Sequence, residues 1–458
     1  MDRIVKDYIN FLSECKTERL CVRRIIDEAE KKGWKNIDEV GKLSAGDKVY
    51  ANKMGKALML FRIGKDPIEN GMNILGAHID SPRLDAKPNP IYEKTGVVYL
   101  NTHYYGGIKK YQWLAIPLSI CGVVCLKDGS TVEIRIGDEP SDPVFCISDI
   151  LPHLAYKQME KKVKDAVDAE NLDVIIGMNG KFKEDGESED KKKSVRDAGK
   201  KRIFEILKKK YKISEDDLLS SELEVVPSGP ARLMGFDESM ILGYGQDDRV
   251  CAYASYRAFV DSEESYRTSC LLLSDKEEIG SYGATGMSSH LLDNAVSEVI
   301  CRLQESGGVE MAIRRCLANS TMLSSDVNAA YDPLNADLYD PDNASNLGGG
   351  IVLNKYTGSR GKSGASDANP EFIAGIRARF DSDKVRYQFA ELGKVEVGGG
   401  GTIALYAAEF GMNVIDAGVA VLSMHAPWEI TSVSDFVETY KGYLSFLKLQ
   451  GFSKRSKA

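Results

Sequence analysis

Histidine is scarce in this chain, with five in 458 residues. Paired cysteine motifs are missing as well, because none of the nine cysteines is in a CxxC spacing and most of them lie in apolar runs. A structural zinc site made of four cysteine or histidine ligands is therefore not expected. The cysteines are interpreted as reduced, buried thiols of a cytoplasmic protein, in preference to a set of disulfides.

Long hydrophobic runs are also absent. The best candidate, residues 113–126 (WLAIPLSICGVVCL), is shorter than the roughly 18 apolar residues that a membrane-spanning helix needs, and it contains Pro117. The N-terminal residues carry early acids and no uninterrupted apolar stretch, so no signal peptide is predicted. The net charge of −8 argues against a nucleic-acid surface and favours solubility. We expect neither membrane nor nucleic-acid partners.

Alternating strand and helix patterns predict an α/β fold. Apolar residues at helical spacing predict two amphipathic helices in residues 1–33, and the apolar runs at 56–64 and 72–80 are typical of buried strands. From about residue 232, strands and helices alternate, which is typical of a sheet layered between helices. A β-rich section precedes it, and the prolines of residues 85–96 mark its start. At this length, two domains are expected.

Three further segments have distinctive compositions. Residues 151–172 are predicted to form a helix. Residues 181–202 carry dense charge of both signs and almost no apolar side chains, so they are interpreted as a solvated loop rather than a regulatory tail. The GGGGT stretch at 398–402 either presents backbone N–H groups to an anion or carbonyl oxygen, or forms a tight turn that needs glycine. It is not a phosphate-binding P-loop, because no Lys-Ser/Thr follows.

Polar side chains follow apolar runs in five short motifs. His78 is followed by Asp80, and on an extended segment these two residues face the same way, so the carboxylate can orient a metal-bound histidine. A packed core histidine is the alternative. Asp247 and Asp248 precede a helical stretch, where a carboxylate can bridge two cations or simply cap the helix.

The LLLSDKEEIG motif ends a buried strand in Glu277 and Glu278. Because adjacent residues of an extended chain point in opposite directions, the two glutamates cannot do the same work. One can bind a metal while the other takes a proton from water, and a solvated acidic loop is the alternative. Asp326 and His425 each follow another apolar run, although an aspartate at such a position often only starts a turn.

Together these motifs predict a two-metal hydrolase. In α/β sheets, ligands bind at the carboxyl ends of the strands. One bridging carboxylate, with one histidine and one further carboxylate for each metal, suits two zinc ions about 3.5–4 Å apart. Cobalt and manganese are the expected substitutes, since carboxylate-rich sites accept several metals.

These motifs, in this order, resemble the aspartyl aminopeptidase and vacuolar aminopeptidase I family of two-zinc metalloaminopeptidases. The resemblance spans nearly the whole chain and rests on HxDSPRLDAKP, the YGGI…W segment at 105–113, LPHLA, QDDR, DKEEIGS, SSDVNAA, GGGGTIA and VLSMHAPWE. One departure is Asp248, where relatives commonly carry asparagine. The extra negative charge is expected to change the affinity for metal.

The resemblance implies a role for each candidate residue. The implied metal ligands are His78 and Asp326 for one zinc ion, Glu278 and His425 for the other, and Asp247 between the two. Glu277 would be the general base and Asp80 would orient the first histidine. His153, from LPHLA, would reach the active site of the neighbouring subunit and hydrogen-bond the developing oxyanion. The candidate substrate-binding residues are Lys355, Gly399 and Gly400, with Arg360 and Lys362 as alternative cations for an acidic substrate.

The resemblance also implies the domain organisation and the reaction. A zinc-exopeptidase-like catalytic domain, residues 1–87 and 232–458, would have its β-sheet between helices and be interrupted by an inserted β-rich dimerisation domain at 88–231. The protein would form a dimer-based homo-oligomer, up to a dodecamer, and remove acidic or neutral N-terminal residues from peptides with a free N-terminus.

Two other functions remain open at this point. One is another two-metal amide hydrolase, of the deacetylase or carboxypeptidase type. The other is a non-enzymatic oligomeric shell protein that zinc stabilises, and the presence of Glu277 argues against it because a protein without catalysis needs no general base.

Overall fold

The computed structural model describes residues 2–179, 197–263, 266–303 and 308–450. The chain divides into two compact units. The first unit comprises Met1–Ser81, Ala231–Met424 and Trp428–Ala458, and the second comprises Pro82–Pro230 and His425–Pro427.

The β-structure of the described residues consists of short strands, which are numbered in chain order. They are β1 (Lys35–Asn36), β2 (Lys48–Lys53), β3 (Ala57–Arg62), β4 (Asn73–His78), β5 (Arg83–Lys94), β6 (Val97–Tyr105), β7 (Leu118–Cys125), β8 (Thr131–Ile136), β9 (Val174–Met178), β10 (Ser221–Pro227), β11 (Arg232–Met234), β12 (Met240–Gly243), β13 (Ser269–Ser274), β14 (Thr321–Ser324), β15 (Asn328–Ala329), β16 (Ile351–Asn354), β17 (Tyr387–Phe389), β18 (Asn413–Gly418), β19 (Ala420–Leu422) and β20 (Glu429–Ser432).

The α-helices of the described residues are numbered in the same way. They are α1 (Arg3–Glu14), α2 (Glu18–Lys31), α3 (Tyr156–Met159), α4 (Ala198–Tyr211), α5 (Gln246–Asp261), α6 (Leu291–Leu303), α7 (Val309–Asn319), α8 (Pro370–Ser382), α9 (Ala404–Ala408) and α10 (Val433–Leu447). The first two helices confirm the pattern predicted for residues 1–33. The hydroxyl of Thr17 accepts a hydrogen bond from the backbone N–H of Leu20 and so caps α2.

The main sheet of the first unit has nine strands in the order β1-β2-β3-β13-β4-β14-β18-β16-β17. Its four central strands, β13, β4, β14 and β18, run parallel to one another. Their carboxyl ends therefore meet at one edge of the sheet, which is where ligands bind in α/β folds. A five-stranded sheet in the order β11-β12-β20-β19-β15 completes the β-structure of this unit.

Helices cover both faces of the nine-stranded sheet. Side chains alternate along β13, so that Leu271 and Leu273 pack on one face while Cys270 and Leu272 pack on the other. The first face is covered by α1, α2, α5, α8 and α10, and the second by α6, α7 and α9. A fully buried sheet has apolar residues on both faces, which explains the unbroken apolar runs in the sequence. The predicted α/β class with a β-sheet between helices is confirmed.

The second unit is β-rich. Its six-stranded sheet has the order β8-β7-β10-β5-β6-β9, and every neighbouring pair is antiparallel. Helix α4 packs against β5, β6 and β9. The apolar runs that predicted β-structure here correspond to strands of this sheet.

The long helix predicted for residues 151–172 is wrong. A short 3-10 turn at Pro152–Leu154 and the single turn of α3 occupy its first part, and further isolated turns follow. The large apolar side chains in the first part of this stretch stay exposed, with Leu154 at 68% and Tyr156 at 74% of their surface, whereas Val167 and Leu172 near its end are buried. A helix gains most of its stability by burying an apolar face, so this segment lacks what would hold a long helix together within one chain.

The predicted charged loop is partly wrong. Residues 181–196 lie outside the described residues, but α4 begins at Ala198 and continues through the last five residues of the predicted loop. The reason lies just beyond them, because the side chain of Ile203 packs closely over Gly177 of β9. The helix is therefore stabilised by apolar residues that follow the charged stretch, and its first turn includes the last residues of that stretch.

Two negative predictions concern membranes and disulfides. No helix of the described residues is long and apolar enough to cross a membrane. All nine cysteines are free, which confirms the interpretation of unpaired thiols, and six of them are buried.

Candidate metal centre

The carboxyl edge of the nine-stranded sheet gathers the polar ends of three parallel strands. His78 is the last residue of β4 and is 1% exposed. It lies beside Ser274, the last residue of β13, after which the chain continues to Glu277 and Glu278. On the other side, β14 ends at Ser324 and leads to Asp326. The sheet register alone thus brings three of the five motifs to one place.

Carboxylates flank both nitrogens of the His78 ring. Nε2 lies 3.2 Å from Oδ1 of Asp247 and 3.9 Å from Oε2 of Glu277. Nδ1 lies 3.3 Å from Oδ1 of Asp80 and 3.1 Å from the same residue's carbonyl oxygen. Burial alone would lower the pKa of His78, but the hydrogen bonds to Asp247 and Asp80 outweigh it and raise this pKa well above its ordinary value.

Two overlapping clusters of ligand atoms share the His78 ring. One joins it to Asp247 and Glu278, and the other joins it to Asp248 and Asp326, with the atoms of each cluster within 4.8 Å of one another. The structure therefore brings together four of the five predicted ligands. It adds Asp248, which the motifs do not assign as a metal ligand.

The carboxylates of the second cluster are poorly compensated. Both oxygens of Asp248 are buried, and no described residue gives either of them a hydrogen bond of normal geometry. Burial raises the pKa of Asp248 well above its usual range, although the nearby His78 and the Cys251 thiol oppose this. Burial and the charge of Asp248 likewise raise the pKa of Asp326. Such a site is costly unless a cation occupies it.

This set of donors fits divalent metal ions. One imidazole and several carboxylates, held at strand ends in a polar pocket, are ligands that zinc accepts at catalytic sites. The same oxygen-rich set also suits cobalt and manganese. Sulfur takes no part in either cluster among the described residues.

Asp80 makes further hydrogen bonds that its position in the sequence does not predict. Its Oδ1 accepts a hydrogen bond from the backbone N–H of Glu277, and its Oδ2 accepts one from the N–H of Glu278, both at 3.2 Å. One carboxylate therefore contacts His78 and also fixes the short 3-10 turn Glu277–Ile279 that carries both glutamates. Outer residues of this kind orient the groups that bind a metal.

The start of the glutamate turn is anchored by buried charges. Asp275 is fully buried, and its Oδ2 accepts a hydrogen bond of 2.6 Å from the hydroxyl of Thr285. The same oxygen lies 3.8 Å from Nζ of Lys56, which lies 3.3 Å from Oε1 of the buried Glu18. Burial raises the pKa of Asp275, and Lys56 opposes that rise. No local pattern predicts this network, because its members come from three distant segments.

The backbone of Asp247 is held from two sides. Its N–H donates to Oε2 of Glu429 at 3.1 Å, and its carbonyl oxygen accepts a hydrogen bond of 2.8 Å from the hydroxyl of Ser81. Both residues belong to motifs that sequence analysis had noted, HxDSPRLDAKP and VLSMHAPWE. Their role in positioning Asp247 is visible only in three dimensions.

Neither cluster contains His425 or His153. His425 is grouped with the second unit, where its Nδ1 lies 2.9 Å from the carbonyl oxygen of Gly107 in the YGGI segment. His153 also belongs to the second unit and is exposed in the turn Pro152–Leu154.

The GGGGT stretch forms a close-packed turn before α9. Gly399 has φ of +129°, and an added Cβ there would collide with the carbonyl oxygen of Gly358, so this position requires glycine. Near Gly400 an added Cβ would meet nothing closer than 4.0 Å. The hydroxyl of Thr402 donates to Oδ1 of Asp416 at 2.7 Å and ties the stretch to β18. Burial raises the pKa of Asp416 to about 6.

The predicted cations lie in two different places. Arg360 and Lys362 border a depression of about 230 Å³ that Gly398 and Gly399 also line. Lys355 instead borders a separate surface depression together with Arg377. A common role for all three cations is therefore not supported.

Comparison with known proteins gives one consistent result. The family model described as "Aminopeptidase I zinc metalloprotease (M18)" matches residues 11–447. The chain belongs to the M18 family of aminopeptidases. The resemblance drawn from the motifs is confirmed, and so is the prediction that the protein is an enzyme, a metalloaminopeptidase.

Solved and curated M18 relatives match over nearly their full length. "Probable M18 family aminopeptidase 1" of Clostridium acetobutylicum is 52% identical over 96% of this chain and 93% of its own. The crystal structure of an M18 aminopeptidase from Thermotoga maritima has a TM-score of 0.90 at 42% identity, over 97% of this chain and 96% of that one. A mApe1 dodecamer from yeast, at 22% identity, shares the fold with a TM-score of 0.78 over 97% and 96% of the two chains.

Asp80→Asn tests the double contact of this carboxylate. An amide nitrogen cannot accept a hydrogen bond, so the substituted side chain cannot satisfy His78 and both N–H groups of the glutamate turn at once. We expect zinc affinity to fall by roughly 10- to 100-fold. The measurement is titration of chelator-stripped protein with zinc against a competing chelator.

Asp38→Asn is the matched control, because Asp38 is exposed on the same unit and outside the clusters. It should bind zinc like the unaltered protein. Unchanged zinc affinity in Asp80→Asn would show that the carboxylate does not organise the centre.

Proposed function

We propose that this chain is a two-zinc aminopeptidase that removes N-terminal residues from peptides, with Glu277 as its general base. The observation that carries the proposal is the convergence of four carboxylates on the buried ring of His78. Asp247 and Asp248 are buried, and Glu278 and Asp326 are partly buried. This concentration of negative charge is unfavourable without cations, and two divalent ions would balance it. The free thiols suit a reducing compartment, and we assign the reaction to the cytoplasm.

The metal ligands are proposed as the motifs implied them. His78 and Asp326 would hold one ion, Glu278 and His425 the other, and Asp247 would lie between them. The clusters around the His78 ring support assigning Glu278 and Asp326 to different ions, since one cluster contains Glu278 and the other Asp326. Zinc is the expected metal because the matching family is described as a zinc metalloprotease, and cobalt or manganese would be substitutes.

Glu277 is suited to move a proton. Its Oε2 lies 3.9 Å from Nε2 of His78, so the carboxylate borders the cluster, and its side chain is 16% exposed. It would take a proton from the attacking water and return it to the nitrogen of the leaving amine. Asp80 holds the backbone N–H groups of both glutamates and so keeps Glu277 and Glu278 in different orientations. Zinc, when bound, supplies Lewis acidity toward the scissile carbonyl and acidifies water.

The second unit is proposed to mediate assembly of a homo-oligomer. The segment around His153 exposes a run of large apolar side chains, namely Leu151, Leu154, Tyr156, Met159 and Val163. Exposed apolar clusters of this kind are typical of protein–protein interfaces. The yeast relative is a dodecamer. We extend a dimer-based assembly of this type to the present chain, with His153 serving the active site of a neighbouring subunit.

We propose a preference for acidic N-terminal residues that depends on Arg360. This side chain is exposed beside the depression that Gly398 and Gly399 line. Lys362, in contrast, already pairs with Asp367 at 3.1 Å and lies 3.7 Å above the ring of Tyr356. Lys355, which borders the other depression, is a weaker candidate.

Glu277→Gln should separate catalysis from metal binding. The variant keeps the size of the side chain but loses the proton acceptor, so turnover should fall by at least roughly 10²-fold while the metal content stays near that of the unaltered protein. Asp247→Ala should instead lose metal, because it removes a ligand shared between the ions. Turnover and elemental analysis of both variants provide the measurement. Near-normal turnover in Glu277→Gln, or full metal content in Asp247→Ala, would contradict the assignment.

A panel of aminoacyl substrates tests the reaction class and its specificity. Substrates with a free amine should be cleaved and N-acetylated ones should not, and kcat/KM for Asp and Glu should exceed that for Leu. Arg360→Gln should lower the acidic values about tenfold relative to Leu, equivalent to about 1.4 kcal/mol of lost ion pairing. Lys355→Gln is the matched control. A clear preference for Leu in the unaltered protein would refute the acidic specificity, and cleavage of N-acetyl substrates would refute the aminopeptidase reaction.

Mixed assemblies test the role of His153. Homo-oligomers of His153→Ala and of Glu277→Gln should both be poorly active, whereas co-assembled hybrids should regain activity, because some sites then combine an intact base with an intact partner histidine. His103→Ala, an exposed histidine of the same unit, is the control and should keep full turnover. Confirmed hybrids without recovery would exclude action between subunits.

A further inference from the structure

A large apolar cavity, partly open to solvent, lies in the second unit between the six-stranded sheet and helix α4. Its volume is about 470 Å³. Each of the six strands contributes an aliphatic side chain to its wall: Ile91, Leu100, Ile120, Ile134, Ile175 and Leu223. The helix contributes the opposite wall, mainly through Ile206 and Leu207. Nothing in the proposed peptidase chemistry uses this space.

Helix α4 packs tightly against the sheet near its start but not near its end. At Gly199 an added Cβ would come within 2.8 Å of Val98 and 3.0 Å of the backbone nitrogen of Asn179. At Gly177 of β9, an added Cβ would come within 2.8 Å of Ile203. In the C-terminal half, Ile206 is 48% exposed and borders the cavity. The close contacts at the two glycines hold the N-terminal end of α4 against the sheet. The cavity extends beneath its C-terminal half.

An apolar space of this size is suited to a ligand. Protein interiors are close-packed, and the few larger voids stay dry when their walls are apolar. An engineered apolar cavity of roughly 150 Å³ already binds benzene. The present cavity is about three times as large and falls in the range of roughly 300–1,000 Å³ that is typical of small-molecule sites.

The positive charge beside the cavity indicates that the ligand has a negatively charged head group. Among the described residues that line it, Lys210 is the one with a charged side chain, and its Nζ lies 5.1 Å from the ring of Tyr211. Lys208 and Lys209 add positive charge to the same last turn of α4. An aliphatic chain in the cavity would therefore place a terminal carboxylate next to an ammonium group.

We propose that this cavity binds a long-chain carboxylate of the fatty-acid type, with the alkyl chain among the aliphatic walls and the carboxylate at Lys210. The proposal is independent of the peptidase reaction.

A series of saturated carboxylates tests the apolar part of the site. Binding of octanoate, decanoate, dodecanoate and tetradecanoate to the full-length protein, each below its micelle concentration, is measured by displacement of a fluorescent fatty acid. Burial of each methylene should raise the affinity by roughly fourfold until the cavity is full. Leu207→Phe, which shortens the space, should end this increase at a shorter chain. Binding that does not depend on chain length would overturn the proposal.

A charge reversal tests the head group. Lys210→Glu should weaken dodecanoate binding by roughly fivefold, the effect of one exposed ion pair, and should leave dodecanol binding unchanged. Lys208→Glu is the matched control, since it makes the same change of net charge on the same helix turn but does not line the cavity. Equal effects of the two substitutions on dodecanoate would overturn the head-group assignment.

Light scattering on the same proteins tests the main alternative, in which a second copy of the chain fills the cavity. The oligomer size of Leu207→Phe should equal that of the unaltered protein. A smaller oligomer together with absent carboxylate binding would show that the cavity is part of a subunit interface and would overturn the proposal.

Discussion

The mutual repulsion of buried and partly buried carboxylates around His78 is the constraint on which the first unit depends. Asp247, Asp248, Glu278 and Asp326 all lie within reach of one imidazole ring. Each close pair of negative charges in a poorly solvated pocket costs several kcal/mol in the absence of cations. The parallel strands, the capped glutamate turn and the buried lysine at Asp275 all hold these groups in place against that repulsion. A divalent metal turns the same arrangement into a favourable one.

Local sequence patterns predicted the elements of this arrangement but not the contacts between them. An unbroken apolar run followed by a polar residue marks the end of a buried parallel strand, so His78, Glu278 and Asp326 could be found by inspection. The two backbone hydrogen bonds that Asp80 accepts could not. Nor could the Lys56–Asp275 contact, because it joins residues more than two hundred positions apart and has no local signature. Sequence patterns describe neighbours along the chain, whereas these contacts depend on the sheet register.

The wrong prediction for residues 151–172 has a related cause. The apolar spacing there is real, but most of the large apolar side chains, those from Leu151 to Val163, stay exposed within one chain. The spacing of apolar residues shows that one face of a segment is apolar, but it does not show what covers that face. The exposed apolar side chains that led to the wrong helix prediction are also the reason for assigning subunit assembly to this region. The ligand, catalytic and substrate-binding roles of all the site residues, including those of His425, His153 and Gly400, remain predictions.

The spacing of the proposed metal ligands along the chain has a consequence for how the protein matures. Residues 78, 247, 278 and 326 meet only after β4, β13 and β14 have paired, so an unfolded chain offers no preformed chelate. Metal then binds the native state almost exclusively and stabilises it by mass action, in proportion to the logarithm of the free metal concentration. Newly made chains would fold before they bind metal. A chain that holds zinc would then be more stable than one without it, quite apart from how fast it works.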